Sequence, residues 1–187
     1  CGIVQVKGVP YYFTERFDRE VVDGHVKRLH QEDFCQMLSI HPEVKYEEDG
    51  GPGVADCINV LGRLHVPLSE MIAFLDMLIY NYLIGNADAH AKNYSVIYRN
   101  GGARLAPLYD AVSTAVYPEL SRDFAMSVAG DRTFGTITRE SFTRLAKDCG
   151  ISPKGLKKMT SEMHLACDSF YDAIETLTNA CTDLKGI

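Results

Sequence analysis

Apolar, strand-forming positions dominate the start of the chain on either side of a turn-like stretch. Residues 3 to 6 and 11 to 16 are rich in Val, Tyr and Phe around Lys7-Gly8-Val9-Pro10, which predicts a β-hairpin ending near Phe17. The pattern then becomes helical. A short helix is expected over Gln31 to Leu38, then a loop punctuated by His41-Pro42 and Asp49-Gly50-Gly51-Pro52-Gly53, then a helix over 54 to 64. Between Pro67 and Gly85, residues Met71, Ile72, Leu75, Leu78, Ile79, Tyr82 and Leu83 form a stripe broad enough for a central, mostly buried helix. Tyr94 to Arg99 and Arg104 to Pro107 flank Asn100-Gly101-Gly102, which predicts a second hairpin. Thr138 caps a helix that runs to Cys149 and stops at Gly150, and Ser152-Pro153 opens a last one. There Leu156, Met159, Met163, Ala166, Phe170, Ile174, Leu177, Cys181 and Leu184 recur in steps of three and four, a core or packing stripe. The predicted fold class is therefore mainly α, with two small hairpins.

Composition narrows the function classes more than the fold. With 187 residues, 46% of them apolar, the chain can bury one substantial core. A net charge of −6 with scattered Lys and Arg argues against a large nucleic-acid-binding face, and Lys154, Lys157 and Lys158 read as a solvated helix start. The six cysteines form no C-x-x-C pair and the six histidines no H-E-x-x-H, so neither a zinc site nor a disulfide framework is signalled, and reduced thiols of the cytoplasm are expected. No apolar run reaches the roughly 18 residues of a membrane span. The chain opens on Cys1 in what already reads as an interior strand, and is expected to be a piece of a longer protein.

The informative segment is Ile84-Gly85-Asn86-Ala87-Asp88-Ala89-His90-Ala91-Lys92-Asn93, followed by the hairpin and then Pro107-Leu108-Tyr109-Asp110. Phosphoryl transfer needs a carboxylate to orient or deprotonate the attacking hydroxyl, and oxygen ligands to hold Mg²⁺ against the phosphates. Asp88, Asn93 and Asp110 supply such a set, and His90 and Lys92 lie in the same loop where they would offset phosphate charge. A buried helix ending at Gly85 delivers a rigid loop, and the hairpin returns the chain so that Asp110 faces Asn93. Taken alone, D-x-x-x-x-N also arises by chance, and an Asn-Ala-Asp turn after a helix serves equally as a cap. The glycine-rich run at 49–53 lacks a G-K-[ST] ending, which excludes a Walker A loop and leaves a tight turn into the next helix.

The string Asp88-Ala89-His90-Ala91-Lys92-Asn93-Tyr94-Ser95, with Asp110 following Asp88 by 22 residues, resembles the catalytic core of the HipA family of bacterial serine/threonine kinases, toxins of toxin–antitoxin pairs. Glu15-Arg16-Phe17-Asp18-Arg19, His30-Gln31-Glu32-Asp33-Phe34-Cys35-Gln36 and Val44-Lys45-Tyr46-Glu47 with the glycine-rich run extend the resemblance in the family's order over roughly residues 11 to 130. It implies a helical C-terminal lobe of a protein-kinase-like fold over 19–187, preceded by a remnant hinge hairpin of the N-terminal lobe over 1–18. It implies Asp88 as catalytic base, Asn93 and Asp110 as Mg²⁺ ligands, and His90 and Lys92 near the phosphates. Glu15, Arg16 and Phe17 would form the hinge that pairs with adenine, Asp18 would approach the ribose, and Gln31 and Asp33 would brace the catalytic loop.

ATP is the implied co-substrate, a protein of the translation apparatus the implied acceptor, and a small DNA-binding antitoxin the implied partner. The family's remaining phosphate-binding loop and lysine lie upstream of the hinge, so this chain alone is expected to be inactive or nearly so. Two rival readings stay open: a silent module that holds an antitoxin or operator complex, and a phosphotransferase acting on a small molecule or lipid head group.

Overall fold

In the computed structural model, residues 2–99 and 101–152 are described, so the helix expected after Ser152-Pro153 and its stripe lie outside the described residues. Strand β1 (Gly2–Val6) pairs antiparallel with β2 (Val9–Phe13) across Lys7-Gly8, whose φ angles of 51° and 78° are both left-handed. Two consecutive positive φ values give a tight hairpin turn whose twist matches the strands. The same device recurs twice. Asp23-Gly24 (φ 50° and 76°) joins β3 (Arg19–Val22) to β4 (His25–Arg28), and Ala129-Gly130 (φ 51° and 86°) joins β8 (Asp123–Val128) to β9 (Asp131–Thr133). The remaining strands, β5 (His30–Asp33), β6 (Ser95–Arg99) and β7 (Gly102–Leu105), form a three-stranded antiparallel sheet in the order β5-β6-β7.

The expectation of a mainly α fold is overturned, because the described residues are 33% helical and 27% strand, with four small antiparallel sheets. The physical reason lies in short segments. Strands β3, β4, β8 and β9 have only three to six residues each, too few for alternation to stand out. The helix expected over Gln31 to Leu38 splits in two: Gln31, Glu32 and Asp33 pair with Ile97, Val96 and Ser95, and α1 is only Phe34–Met37. Asp33 is the switch point. Its side chain accepts from Gln36 N while the Gln36 side chain accepts from Asp33 N, a reciprocal cap that starts a helix where the strand ends.

The other helices follow the apolar stripes. Helix α2 (Val54–Arg63) buries Cys57, Ile58 and Leu61; α3 (Leu68–Leu83) buries Phe74, Leu75, Leu78 and Ile79; α4 (Arg139–Asp148) buries Phe142 and Leu145. One core results. Phe34 and Phe74 meet edge to face at 5.4 Å, Phe74 and Tyr94 at 5.2 Å, and Leu61, Val96 and Met126 close around them. Each large apolar side chain fully buried in this way contributes about 1.5–3 kcal/mol.

The glycine-rich run is a close-approach turn. A Cβ at Gly51 would stand 2.5 Å from Val44 O and 2.6 Å from Tyr46 O, both backbone atoms. Neither atom can yield without moving the turn. Gly51→Ala should therefore destabilise the protein by about 1–3 kcal/mol, the cost of overpacking, read as a lower midpoint in urea denaturation with an unchanged slope.

Candidate functional site

Helix α3 turns directly into the site. Its end is a Schellman motif, in which Asn86 N donates to Asn81 O at 2.8 Å and Gly85 N donates to Tyr82 O at 3.0 Å, with Gly85 at φ 68°. A Cβ at Gly85 would stand 2.5 Å from the Ala115 Cβ, so the helix end and the segment at 114–116 are pressed together. Thr114 locks them: its hydroxyl donates to Gly85 O at 3.0 Å and accepts from Ala87 N at 2.8 Å. Ala125 N on β8 donates to Ala87 O at 2.9 Å, so both sides of the residue before Asp88 are held.

The Schellman turn also stacks two buried amides. Asn86 Nδ2 donates to Asn81 Oδ1 at 2.9 Å and to the backbone oxygen of Asp110 at 3.1 Å, and Asn81 Nδ2 donates to the Tyr94 hydroxyl at 2.9 Å. Asp110 thereby has its main chain tied to the end of α3. It sits at φ 57°, a left-handed conformation that Asp tolerates better than most residues. Its exposed carboxylate reaches Asn93, whose Nδ2 donates to Asp110 Oδ2 at 2.5 Å.

The structure thus brings Asn93 and Asp110 together across the hairpin. Asn93 is 4% exposed, and its Oδ1 is buried without a partner. A buried amide oxygen without a donor costs about 1–3 kcal/mol, which a cation would relieve. One amide oxygen and one carboxylate suit Mg²⁺, which prefers hard oxygens and keeps several waters. Among the described residues no group of three or more His, Cys, Asp or Glu is placed to hold a metal ion, so this donor set needs phosphate or water oxygens to complete a shell.

Asp88 lies on the exposed side of the same loop. Its Oδ1 accepts from the Tyr46 hydroxyl at 2.6 Å and stands 3.8 Å from His90 Nε2. Burial, and then the positive charge of Lys45, depress the His90 pKa below its ordinary value, while Asp88 and Asp110 pull the other way. His90 is therefore neutral near pH 7. Because its folded pKa lies below its unfolded one, the unfolded chain takes up the proton more readily. Its stability contribution is complete above about pH 6.5 and is lost as pH falls below that. Urea denaturation at pH 5.5 and 7.5 should show a smaller acid loss for His90→Gln than for the wild type.

Lys92 is engaged by a carboxylate. Its Nζ is 2.7 Å from Asp33 Oδ2, an ion pair joining the loop to the cap of α1. Gln31 joins from the neighbouring strand: Gln31 Nε2 donates to Ser95 Oγ at 3.0 Å, Ser95 and Tyr109 share a 2.5 Å hydroxyl contact, and the Tyr109 hydroxyl lies 2.7 Å from Lys92 O. Gln31 and Asp33 are thus both bonded to the loop or its flanks.

The hinge candidates Glu15, Arg16 and Phe17 line an open cleft of about 1290 Å³ together with Tyr109 and Asp110. Phe17 stacks against Tyr109 at 5.8 Å, and Arg99 donates to Phe17 O at 3.4 Å. Asp18 is placed differently. It is 2% exposed, and its oxygens accept from Arg16 at 2.7 and 2.8 Å and from Arg19 at 2.5 Å. The Arg16 hydrogen bond, with Arg19 behind it, holds this carboxyl well below the usual range despite its burial. Asp18 therefore organises the two arginines at the cleft rather than offering free acceptors to a ligand.

Sequence reasoning missed Tyr46, Asn81, Asn86 and Tyr109 as parts of the site. Asn81 carried a usable signal, because it is a polar residue set among the apolar positions of α3. Tyr46 stood in the Val44–Glu47 string that extends the resemblance, but nothing local linked it to Asp88, 42 residues away.

Residues 1–170 match the HipA-like C-terminal domain family. The chain is 38% identical over 179 residues to Y4mE of Sinorhizobium fredii, a protein provisionally named a kinase, covering 95% of this chain and 42% of that protein. It is 34% identical over 128 residues to the serine/threonine-protein kinase toxin HipA of Shewanella oneidensis, covering 62% of this chain and 30% of that one. The solved structure of Shewanella oneidensis HipA with HipB and operator DNA superposes with a TM-score of 0.78 at 26% identity, over 87% of this chain and 41% of that one. The chain spans less than half the length of these relatives. Among the described residues no helix is long and apolar enough to cross a membrane. Four ordered sequence motifs, a family match across most of the chain and a shared fold lead to one statement: the chain belongs to the HipA-like C-terminal domain family.

Proposed function

We propose that this chain carries the catalytic loop of a kinase that transfers the γ-phosphate of ATP to a serine or threonine hydroxyl of a protein. The observation that carries the reading is the Asn93–Asp110 pair, one loop turn from the exposed carboxylate of Asp88 and at the edge of the cleft lined by residues 14–17. In this reading Asp88 orients the acceptor hydroxyl and takes its proton as the oxygen bonds to phosphorus. The bond from phosphorus to the bridging oxygen breaks, and ADP leaves. Asn93 and Asp110 would hold Mg²⁺, which when bound neutralises charge on the phosphates. Phe17 and Tyr109 present a stacked aromatic pair to the cleft, a surface suited to a planar base.

Arg16, Glu15 and the backbone at Phe17, which line the same cleft, would read the adenine edge. Lys92, being paired with Asp33, acts through the loop's position more than through direct phosphate contact. Turnover is assigned to the full natural chain, since the matched relatives are more than twice as long, and this segment by itself is proposed to be inactive. The solved neighbour's complex with HipB and operator DNA supports an antitoxin bound to DNA as partner, and the relative named a serine/threonine-protein kinase toxin supports a protein hydroxyl as acceptor; a component of translation, in the cytoplasm, is proposed as target on the resemblance alone.

The test is transfer of labelled γ-phosphate from Mg²⁺-ATP into lysate by the full natural chain, followed by phosphoamino-acid analysis. Phosphoserine or phosphothreonine that requires Asp88 and Asp110 would support the proposal. Label confined to lipid or small molecules would replace it with a different phosphotransferase, and no transfer by a folded, ATP-binding chain would leave a silent binding module.

A further inference from the structure

We infer that Tyr46 is a positioning residue of the transfer site, holding one oxygen of Asp88 so that only the other is presented to the acceptor hydroxyl. This rests on the kinase reading above and adds a residue to it. The Tyr46 hydroxyl donates to Asp88 Oδ1 at 2.6 Å, a short charge-assisted bond from a residue 42 positions away. Asp88 needs such a partner. Its side chain is 49% exposed on a loop, where a carboxylate otherwise samples several rotamers.

The surrounding fold is arranged to fix this contact. Tyr46 O accepts from Gly51 N at 2.8 Å and from Asp49 N at 3.1 Å, so the tight turn that requires glycine at 51 clamps the Tyr46 backbone. The next residue is tied to β8, where Glu47 accepts from Ser127 N at 2.5 Å and from Ser127 Oγ at 2.9 Å. Two residues earlier on the same strand, Ala125 N donates to Ala87 O at 2.9 Å, tying the residue before Asp88. Strand β8 is thus a common reference for both ends of the Tyr46–Asp88 contact.

The Tyr46 ring is set edge-on to His90 at 5.4 Å, with Lys45 Nζ 5.0 Å from its centroid, which fixes the rotation of the phenol. Burial, and then the bond to Asp88, push the Tyr46 hydroxyl up to about 12, so it remains a donor across the working pH range.

The experiment is Tyr46→Phe in the full natural chain, alone and combined with Asp88→Asn, with kcat and the KM for ATP measured by labelled transfer. A loss of alignment at the reacting oxygen costs about 10–100-fold in rate. The expected result is a kcat lower by about that factor with KM for ATP within about twofold, and less than about a twofold further effect of Tyr46→Phe in the Asp88→Asn background. An unchanged kcat in folded Tyr46→Phe, or fully multiplicative effects in the double variant, would overturn the inference while leaving the kinase reading intact. Phosphotyrosine at position 46 would overturn it too, by making Tyr46 an acceptor. Undiminished transfer by Asp88→Ala would instead remove the kinase reading itself, and the inference with it.

Discussion

In the full natural chain, Asp88→Ala and Asp110→Ala should each lower γ-phosphate transfer by about a thousandfold or more, for different reasons and with different dependence on Mg²⁺. Asp88→Ala removes the proposed proton acceptor, so kcat should fall while the Mg²⁺ concentration for half-maximal rate stays near the wild-type value. Asp110→Ala removes a carboxylate from the proposed cation site, so the residual rate should demand more Mg²⁺. Both side chains are exposed, and neither belongs to the hydrophobic core, so the variants should fold. The folded state is checked by circular dichroism before rates are compared. An Asp110→Ala protein with wild-type Mg²⁺ dependence would sink the ligand assignment, and equal Mg²⁺ responses in both variants would sink the division of roles.

Asn86→Ala is expected to have the largest effect on stability, about 2–5 kcal/mol, and to weaken transfer as well. Asn86 is 1% exposed, and its amide donates both to Asn81 Oδ1 and to Asp110 O. Truncation leaves the buried Asn81 Oδ1 without that donor, at about 1–3 kcal/mol, and the part-buried Asp110 O without it at a smaller cost. It also frees the backbone of Asp110, which must stay at φ 57° to meet Asn93. For a domain of this size each kcal/mol lowers Tm by about 2–4 °C, so a fall of roughly 4–20 °C is expected in a thermal melt. A Tm within about 2 °C of wild type would show that the Asn81–Asn86 pair does not support the site.

Several parts of this architecture could be read before any coordinates. Helices α2, α3 and α4 lie within a residue or two of their expected ranges, since the apolar stripe of α3 and the Thr138 and Gly150 end signals of α4 are local properties. Hairpins β1–β2 and β6–β7 were marked by their glycine turns, although the turns are tighter than expected and β7 begins at Gly102. The loop from Asp88 to Asn93 and its separation from Asp110 were legible because the residues are few, polar and bounded by a helix end. The overestimate of helix came from strands too short to show alternation, and from Gln31 to Asp33, whose strand pairing is decided by β6 some 60 residues away.

What the sequence by itself determined is the set of local elements and the order of polar residues along the loop, because both depend on neighbours within one helical turn or one hairpin. The tertiary structure alone decided which polar groups meet. Lys92 found Asp33, Tyr46 found Asp88, and Asp18 was sunk beneath Arg16 and Arg19. It also decided that Asn81 and Asn86 carry the backbone of Asp110. The first two contacts join residues 59 and 42 positions apart. A hydrogen bond is made or lost within a few tenths of an ångström, and such distances exist only once the core has packed.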